Sequence, residues 1–174
     1  DLVLLRVSAL LWIPENWICI VSKFVCTEVV NETFYRSQEY WIPGNKQEKR
    51  KRKPGRLLLQ HRVIHTPGEY TKVNTTMMSL QGNYSYPTAQ VFFADDDCMV
   101  IETPSGYPWL GKPACALWVT AEALHRPNKH CHFILFAMCK TPIYNAYDYE
   151  QKRCENWKLP YDKNTVRTLD TLME

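Results

Sequence analysis

The sequence predicts a mainly β fold: eight short antiparallel strands closed as an up-and-down barrel, with one late helix packed outside. Three observations predict it. Stretches rich in Val, Ile, Thr, Phe, Tyr and Trp recur between turn residues at the spacing of all-β domains. Only one segment keeps a helical period. Eleven prolines stand against six glycines, which favours rigid connections over long helices. At 174 residues the chain reads as one domain, residues 1–174, long enough to bury a sizeable core.

The elements follow in order. Residues 2–13 are rich in Leu, Val and Ile, and Pro14 ends them. "WICIVSKFVCTEVV" (17–30) is β-branched and aromatic, and "NETFYRSQEYWI" opens with a turn and runs extended again. "PGNKQEKRKRKPG" is a charged loop with Pro-Gly at both ends. "RLLLQHRVIHT" and "EYTKVNTTMMSLQ" alternate imperfectly around Pro67-Gly68. "SYPTAQVFFADDDCMVIET" reads as a strand, a kink at the aspartates and a strand, and "ACALWVTAE" is one more. The helix is "NKHCHFILFAMCK" after Pro127, with Cys131, Ile134, Leu135 and Met138 at helical spacing and Pro142 closely following. About eight strands, one late helix and a cysteine-bearing tail form the layout of a lipocalin, a barrel that encloses one small-molecule cavity.

Charge is unevenly spread. Seven of the 21 basic residues, Lys46, Lys49, Arg50, Lys51, Arg52, Lys53 and Arg56, crowd one loop, and the rest of the chain is net acidic. A nucleic-acid arm is set against a solvated hairpin tip, and the acidic body favours the tip. Heparin-like polyanions or anionic cell surfaces are the remaining use of such a run. Seven cysteines lack any C-x-x-C spacing, and three Asn-x-Ser/Thr sequons begin at Asn31, Asn74 and Asn83. Together they predict a disulfide-bonded glycoprotein of the secretory pathway. The chain begins at Asp1, as expected after removal of a signal peptide. "LVLLRVSALLWI" is too short to span a bilayer and holds Arg6, so no membrane insertion is expected.

Little catalytic or metal chemistry is legible. His130 and His132 flank Cys131, but residues two apart on a helix point in different directions and do not readily share an ion. Asp95, Asp96 and Asp97 lack the later glycine and distal glutamate of a calcium loop, and a turn explains them. No G-x-S-x-G elbow, P-loop, G-x-G-x-x-G or papain-type cysteine occurs, so neither an enzyme nor a cofactor is expected.

The order "FFADDDC" with Val100, then "LWV", then Cys131 beyond a proline, and a last cysteine in the tail, resembles the tick salivary lipocalins of the histamine-binding protein family. The resemblance covers roughly residues 85–154, and residues 17–45 follow it loosely. Amine-binding members carry Cys-Asp-aliphatic, then Glu-Leu-aromatic, then Cys. Here the frame stands as Cys98-Met99-Val100, Ala116-Leu117-Trp118 and Cys131, with both acids missing. The resemblance implies a bond from Cys98 to Cys131 and one from an early strand to Cys154. Strand alternation sets Cys19 with Val21 and Lys23, the more outward set, which favours Cys19 as that partner. Cys115 and Cys139 are available for a third bond, leaving Cys26 as an odd thiol, inward-facing or open to a partner.

If Cys98 points outward, alternation turns Met99 and Ile101 into the barrel, and the resemblance puts Ala116 and Trp118 there too. Neither Met99 nor Ala116 supplies the carboxylate that a buried ammonium needs. The expected guest is therefore a small hydrophobic molecule. The family suggests a sterol, fatty acid or eicosanoid, with host immune defence as the target and a host immune-cell receptor as a further partner. Within the family, the japanin-like, dendritic-cell-modulating subgroup is similar in its glycosylation and apolar cavity. A polar group of the guest is expected to meet a tyrosine, arginine or glutamine of segments 34–41 or 84–93, where Phe34, Arg36, Tyr40 and Phe92 are candidate lining residues. The rival reading is a filled barrel whose loops bind a host protein.

Overall fold

The structure, a computed structural model, describes residues 1–8, 17–42, 53–103, 111–150, 152 and 154. Eight strands build the wall: β1 (Leu2–Ser8), β2 (Ile18–Glu28), β3 (Thr33–Ile42), β4 (Lys53–Ile64), β5 (Lys72–Met78), β7 (Ala89–Ala94), β8 (Cys98–Glu102) and β9 (Cys115–Thr120). Each pairs antiparallel with the next, and β9 pairs back onto β1 through Val3↔Val119 and Leu4↔Trp118. That last pairing closes the sheet into a barrel, as the sequence predicts, and leaves no free edge between β1 and β9. The two-residue β6 (Tyr84–Ser85) pairs with β5, and β10 (Ile143–Asn145) extends the sheet beyond β1. Helix α1 spans Lys129–Met138, and a five-residue α2 (Ala146–Glu150) follows β10. Neither β10 nor α2 is signalled in the sequence. Both are too short for a period to show.

The predicted helix forms where its signals stand. Asn128 caps it, its side chain accepting from the His130 backbone N–H at 2.9 Å. The kink at the three aspartates is a hairpin turn between β7 and β8. Asp95 Oδ1 accepts from the N–H groups of Asp97 (2.9 Å) and Cys98 (2.8 Å), an arrangement typical of a short polar side chain at a turn. Its other oxygen accepts from Asn128 Nδ2 at 3.0 Å, so the turn also steadies the helix cap.

The tightest packing lies outside the barrel, beneath α1. Cys98, Val100, Leu117 and Val119 point outward from β8 and β9 and meet Cys131 and Leu135 of the helix. Val100, Leu117, Val119, Cys131 and Leu135 are all 0% exposed. Three disulfides stitch this layer: Cys98–Cys131 and Cys115–Cys139 join the wall to either end of α1, and Cys19–Cys154 joins β2 to the tail. The pair Cys19–Cys154 closes a sequence separation of 135 residues, a long loop whose constraint removes much freedom from the unfolded chain.

Two local departures have physical causes. Cys26 was expected on the opposite face from Cys19. A register shift between Phe24 and Cys26 inserts a bulge and reverses the alternation, so Cys26 sits opposite Tyr35 on the outer face. Cys26 makes no disulfide. Pro54 and Gly55, read as the end of the charged loop, belong to β4 opposite Trp41 and Tyr40. A Cβ on Gly55 would run into the Tyr40 ring, which explains a glycine inside a strand. Most of the basic run itself lies outside the described residues.

Candidate functional site

Cross-strand partners of an antiparallel sheet share a face, so the pairings sort every strand into an outward and a lumen-facing set. Leu4 faces Trp118, Met99 faces Trp118 from the other side, and Ile101 faces Ala116. Met99, Ile101, Ala116 and Trp118 therefore share the lumen-facing side of β8 and β9. From β1 the same parity leads through Leu2↔Ser22 to Ser22↔Gln38 and Gln38↔Leu57. Phe34, Arg36, Gln38 and Tyr40 of β3 and Leu57, Leu59 and His61 of β4 thus turn inward, and Thr75 and Met77 of β5 join them.

Phe92 does not join this set. A register shift between Val91 and Phe93 puts it in a bulge. It packs toward the outer core, with its ring edge-on to Tyr70 at 5.5 Å between centroids. Val91, opposite Ile101, takes the lumen position. A bulge carries no residue-type signature, so alternation counted along the sequence misplaces Phe92.

Many of the lumen-facing side chains reach solvent. Met99, Ile101, Trp118, Phe34, Arg36, Gln38, Leu57 and Met77 all keep part of their surface exposed, while Ser37 and Glu39, their outward neighbours on β3, are buried. A side chain pointing into a closed barrel can meet solvent only through the lumen. Well-packed interiors leave no such exposure. The lumen's apolar wall runs over β8, β9 and β1, with Leu4, Val7, Ile20, Tyr40 and Ala116 forming its most buried floor. Trp17 stacks on Tyr40 at 4.0 Å between centroids and closes one side.

Its polar groups gather on the opposite wall. Arg36 donates from Nε to Ser22 Oγ and from Nη2 to the Ser22 carbonyl, each at 2.8 Å. His61 stacks on Phe34 at 5.0 Å, and its Nδ1 lies 2.9 Å from Thr75 Oγ1. Burial, helped by the Arg36 charge, lowers the His61 pKa to about 4. Burial also raises the Tyr40 and Tyr86 hydroxyls above their ordinary value, each assisted by a neighbouring tyrosine. Tyr86 reaches Met77 Sδ at 3.8 Å, near the same rim.

No carboxylate faces the lumen from the described strands. Glu39 is buried, but outward, where it pairs with Lys23 at 2.6 Å. Glu102 lies opposite Cys115 on the outer face. Glu150, invisible to sequence reading, is buried at the barrel's margin, accepting from the Cys19 backbone N–H (2.8 Å) and the Tyr144 hydroxyl (3.2 Å). It satisfies the backbone where Cys19 takes a φ of 58°, a strained value for a residue with a side chain. His130 is exposed and His132 lies half-buried near Arg6, whose charge with burial lowers the histidine's pKa. Among the described residues, the cysteines that approach acidic groups are all disulfide-bonded. No described helix is long and apolar enough to cross a membrane.

A comparison with curated protein sequences gives no match. Among solved structures, japanin from Rhipicephalus appendiculatus, bound to cholesterol, superposes with a TM-score of 0.62 at 15% identity. The match covers 94% of this chain and 93% of that one, which is a likeness of fold and confirms the lipocalin barrel. The family model described as tick histamine binding protein matches residues 21–156. With its closed barrel, its outer helix and its disulfide-tied wall, this chain belongs to the tick histamine-binding protein family.

Proposed function

We propose that the protein is a secreted, non-enzymatic binding protein that sequesters a small hydrophobic ligand in its barrel and thereby modulates host immune defence. One observation carries the reading: a closed barrel lined mainly by apolar side chains, several of them only partly buried, with no carboxylate from the described strands to hold an amine. An apolar lumen open to solvent gains free energy from an apolar guest at about 25 cal/mol per Å² removed from water. A barrel of the same fold holding cholesterol supports a lipid-sized guest. The disulfides and the exposure of Asn31, Asn74 and Asn83 support delivery outside the cell, in saliva, as a glycoprotein.

Native mass spectrometry of the protein secreted from eukaryotic cells tests this. Co-purifying lipid, and glycan mass at one or more of the three asparagines, are expected. A barrel that stays empty and takes up neither sterol nor fatty acid overturns the binding role. Loaded and delipidated protein compared on activation of host immune cells tests the consequence for defence, and equal absence of effect overturns that part.

A further inference from the structure

We infer that the lumen selects a long-chain carboxylic acid, with the carboxylate held at Arg36 and beside His61 and Thr75, and the tail laid along the apolar wall of β8 and β9. The inference rests on the binding role proposed above and narrows its ligand class.

Arg36 is the strongest observation. It faces the lumen from the middle of β3, opposite Leu59 and Phe24. Of the five N–H groups of a guanidinium, two go to Ser22. Among the described residues no carboxylate lies within ion-pair distance of it. While the lumen holds water, the remaining N–H groups are solvated. A neutral apolar guest would strip that water and leave a cation unmatched in a low-dielectric space, which is costly. A carboxylate removes the difficulty, because it accepts two parallel hydrogen bonds from the guanidinium fork and cancels its charge.

Neighbouring groups fit the same guest. His61 pairs across the sheet with Phe34, one step diagonally from Arg36, and Thr75 pairs with His61. Because its Nδ1 is engaged with Thr75, the other ring nitrogen remains for the ligand. With its pKa near 4 the imidazole is neutral at pH 7, so it offers a hydrogen bond without adding a second charge. The far wall, from Met99 and Ile101 to Trp118 and Val91, is wholly apolar and faces this polar cluster across the lumen. Polar head and apolar tail thus have separate seats.

Displacement of a fluorescent lipid from the delipidated full chain tests the inference with oleate, oleyl alcohol and cholesterol. Oleate and oleyl alcohol share one tail and differ only in head charge. Oleate is expected to bind on the order of tenfold or more tighter than the alcohol, the scale of a charge-assisted bidentate contact. Arg36→Gln should erase that preference by weakening oleate and, with the unmatched cation gone, by tightening the alcohol, and Arg36→Lys should restore part of the preference. Equal binding of acid and alcohol by the unaltered protein overturns the inference, even if the variants do not fold. In that case uptake of the alcohol or cholesterol leaves the binding role standing. Failure to bind any of the three overturns the binding role itself, and the inference with it.

Discussion

His61 is held neutral by two effects that act together, burial and the charge of Arg36, and this gives the fold a pH dependence with a definite sign. The folded pKa, about 4, lies below the ordinary histidine value near 6.5. Between those values the unfolded chain takes up a proton that the folded one refuses. Stability is therefore fully present above about pH 6.5 and declines as pH falls toward 4, by up to about 3 kcal/mol. Thermal melts at pH 7 and 5 should show the loss, and His61→Gln should flatten it. If the variant loses as much as the parent, the assignment to His61 is wrong. Met99 and Ala116 support a second prediction. Met99→Asp combined with Ala116→Glu places two acids on the apolar lumen wall with no described cation beside them on β8 or β9, so it should weaken an apolar guest severalfold or more. Calorimetric titration of both forms with a fatty acid, a sterol, histamine and serotonin checks it. The unaltered protein should bind the two amines weakly or not at all. At this scale the sequence was most legible on β8 and β9, where unbroken alternation puts Met99 with Ile101 and Ala116 with Trp118, and the family resemblance turns the second pair inward. It was least legible at Phe92 and Cys26, where bulges reverse the parity. His61 and Thr75 were missed because a lone polar residue in a strand carries no pattern, and Glu150 because its five-residue helix is too short to show one.

Among the elements, α1 depends on its fastenings. Its sequence supplies a cap at Asn128 and a buried stripe through Cys131 and Leu135, and Asp95 ties the cap to the β7–β8 turn. Loss of the Cys98–Cys131 bond in Cys131→Ala should destabilise the protein by about 2–5 kcal/mol. Asn128→Ala should cost about 1 kcal/mol through the cap alone, and somewhat more with the Asp95 contact. Chemical denaturation of each variant measures these values. An unchanged midpoint for Cys131→Ala would remove the bond from the account of stability. The helix was readable because capping residue, period and proline stop coincide within one segment. The short β10 and α2 were not, because tertiary contacts, chiefly those of Glu150, define them.

At the scale of the molecule, the basic run falls in sequence between β3 and β4, away from every disulfide cysteine, and most of it lies outside the described residues. Neutralising Lys49, Arg50, Lys51 and Arg52 to Gln should change stability by no more than about 0.5 kcal/mol and leave lipid affinity unaltered. A salt-sensitive loss of binding to heparin-like polyanions would instead give the run a role of its own. The barrel was foreseeable as a class from strand spacing and the late helix. The residues that close it were not, since the pairing of β9 onto β1 joins the ends of the wall and leaves no local trace in either segment.

Among the described residues, most of the side chains that are 0% exposed belong to the cluster between wall and helix, whereas the lumen-side cluster is smaller. That separation bears on how the chain tolerates change. Substitutions at Val100, Leu117 or Leu135 strike side chains that are 0% exposed, where truncating a large aliphatic residue costs about 2–5 kcal/mol. Exchanges among apolar residues at Met99, Ile101 or Trp118 strike side chains that are only partly buried, so secretion yield should survive them better while ligand preference drifts. A saturation library scored first for secretion and then for lipid retention should split these two sets. In such a barrel the choice of guest can be rewritten from one descendant to the next without rebuilding the container.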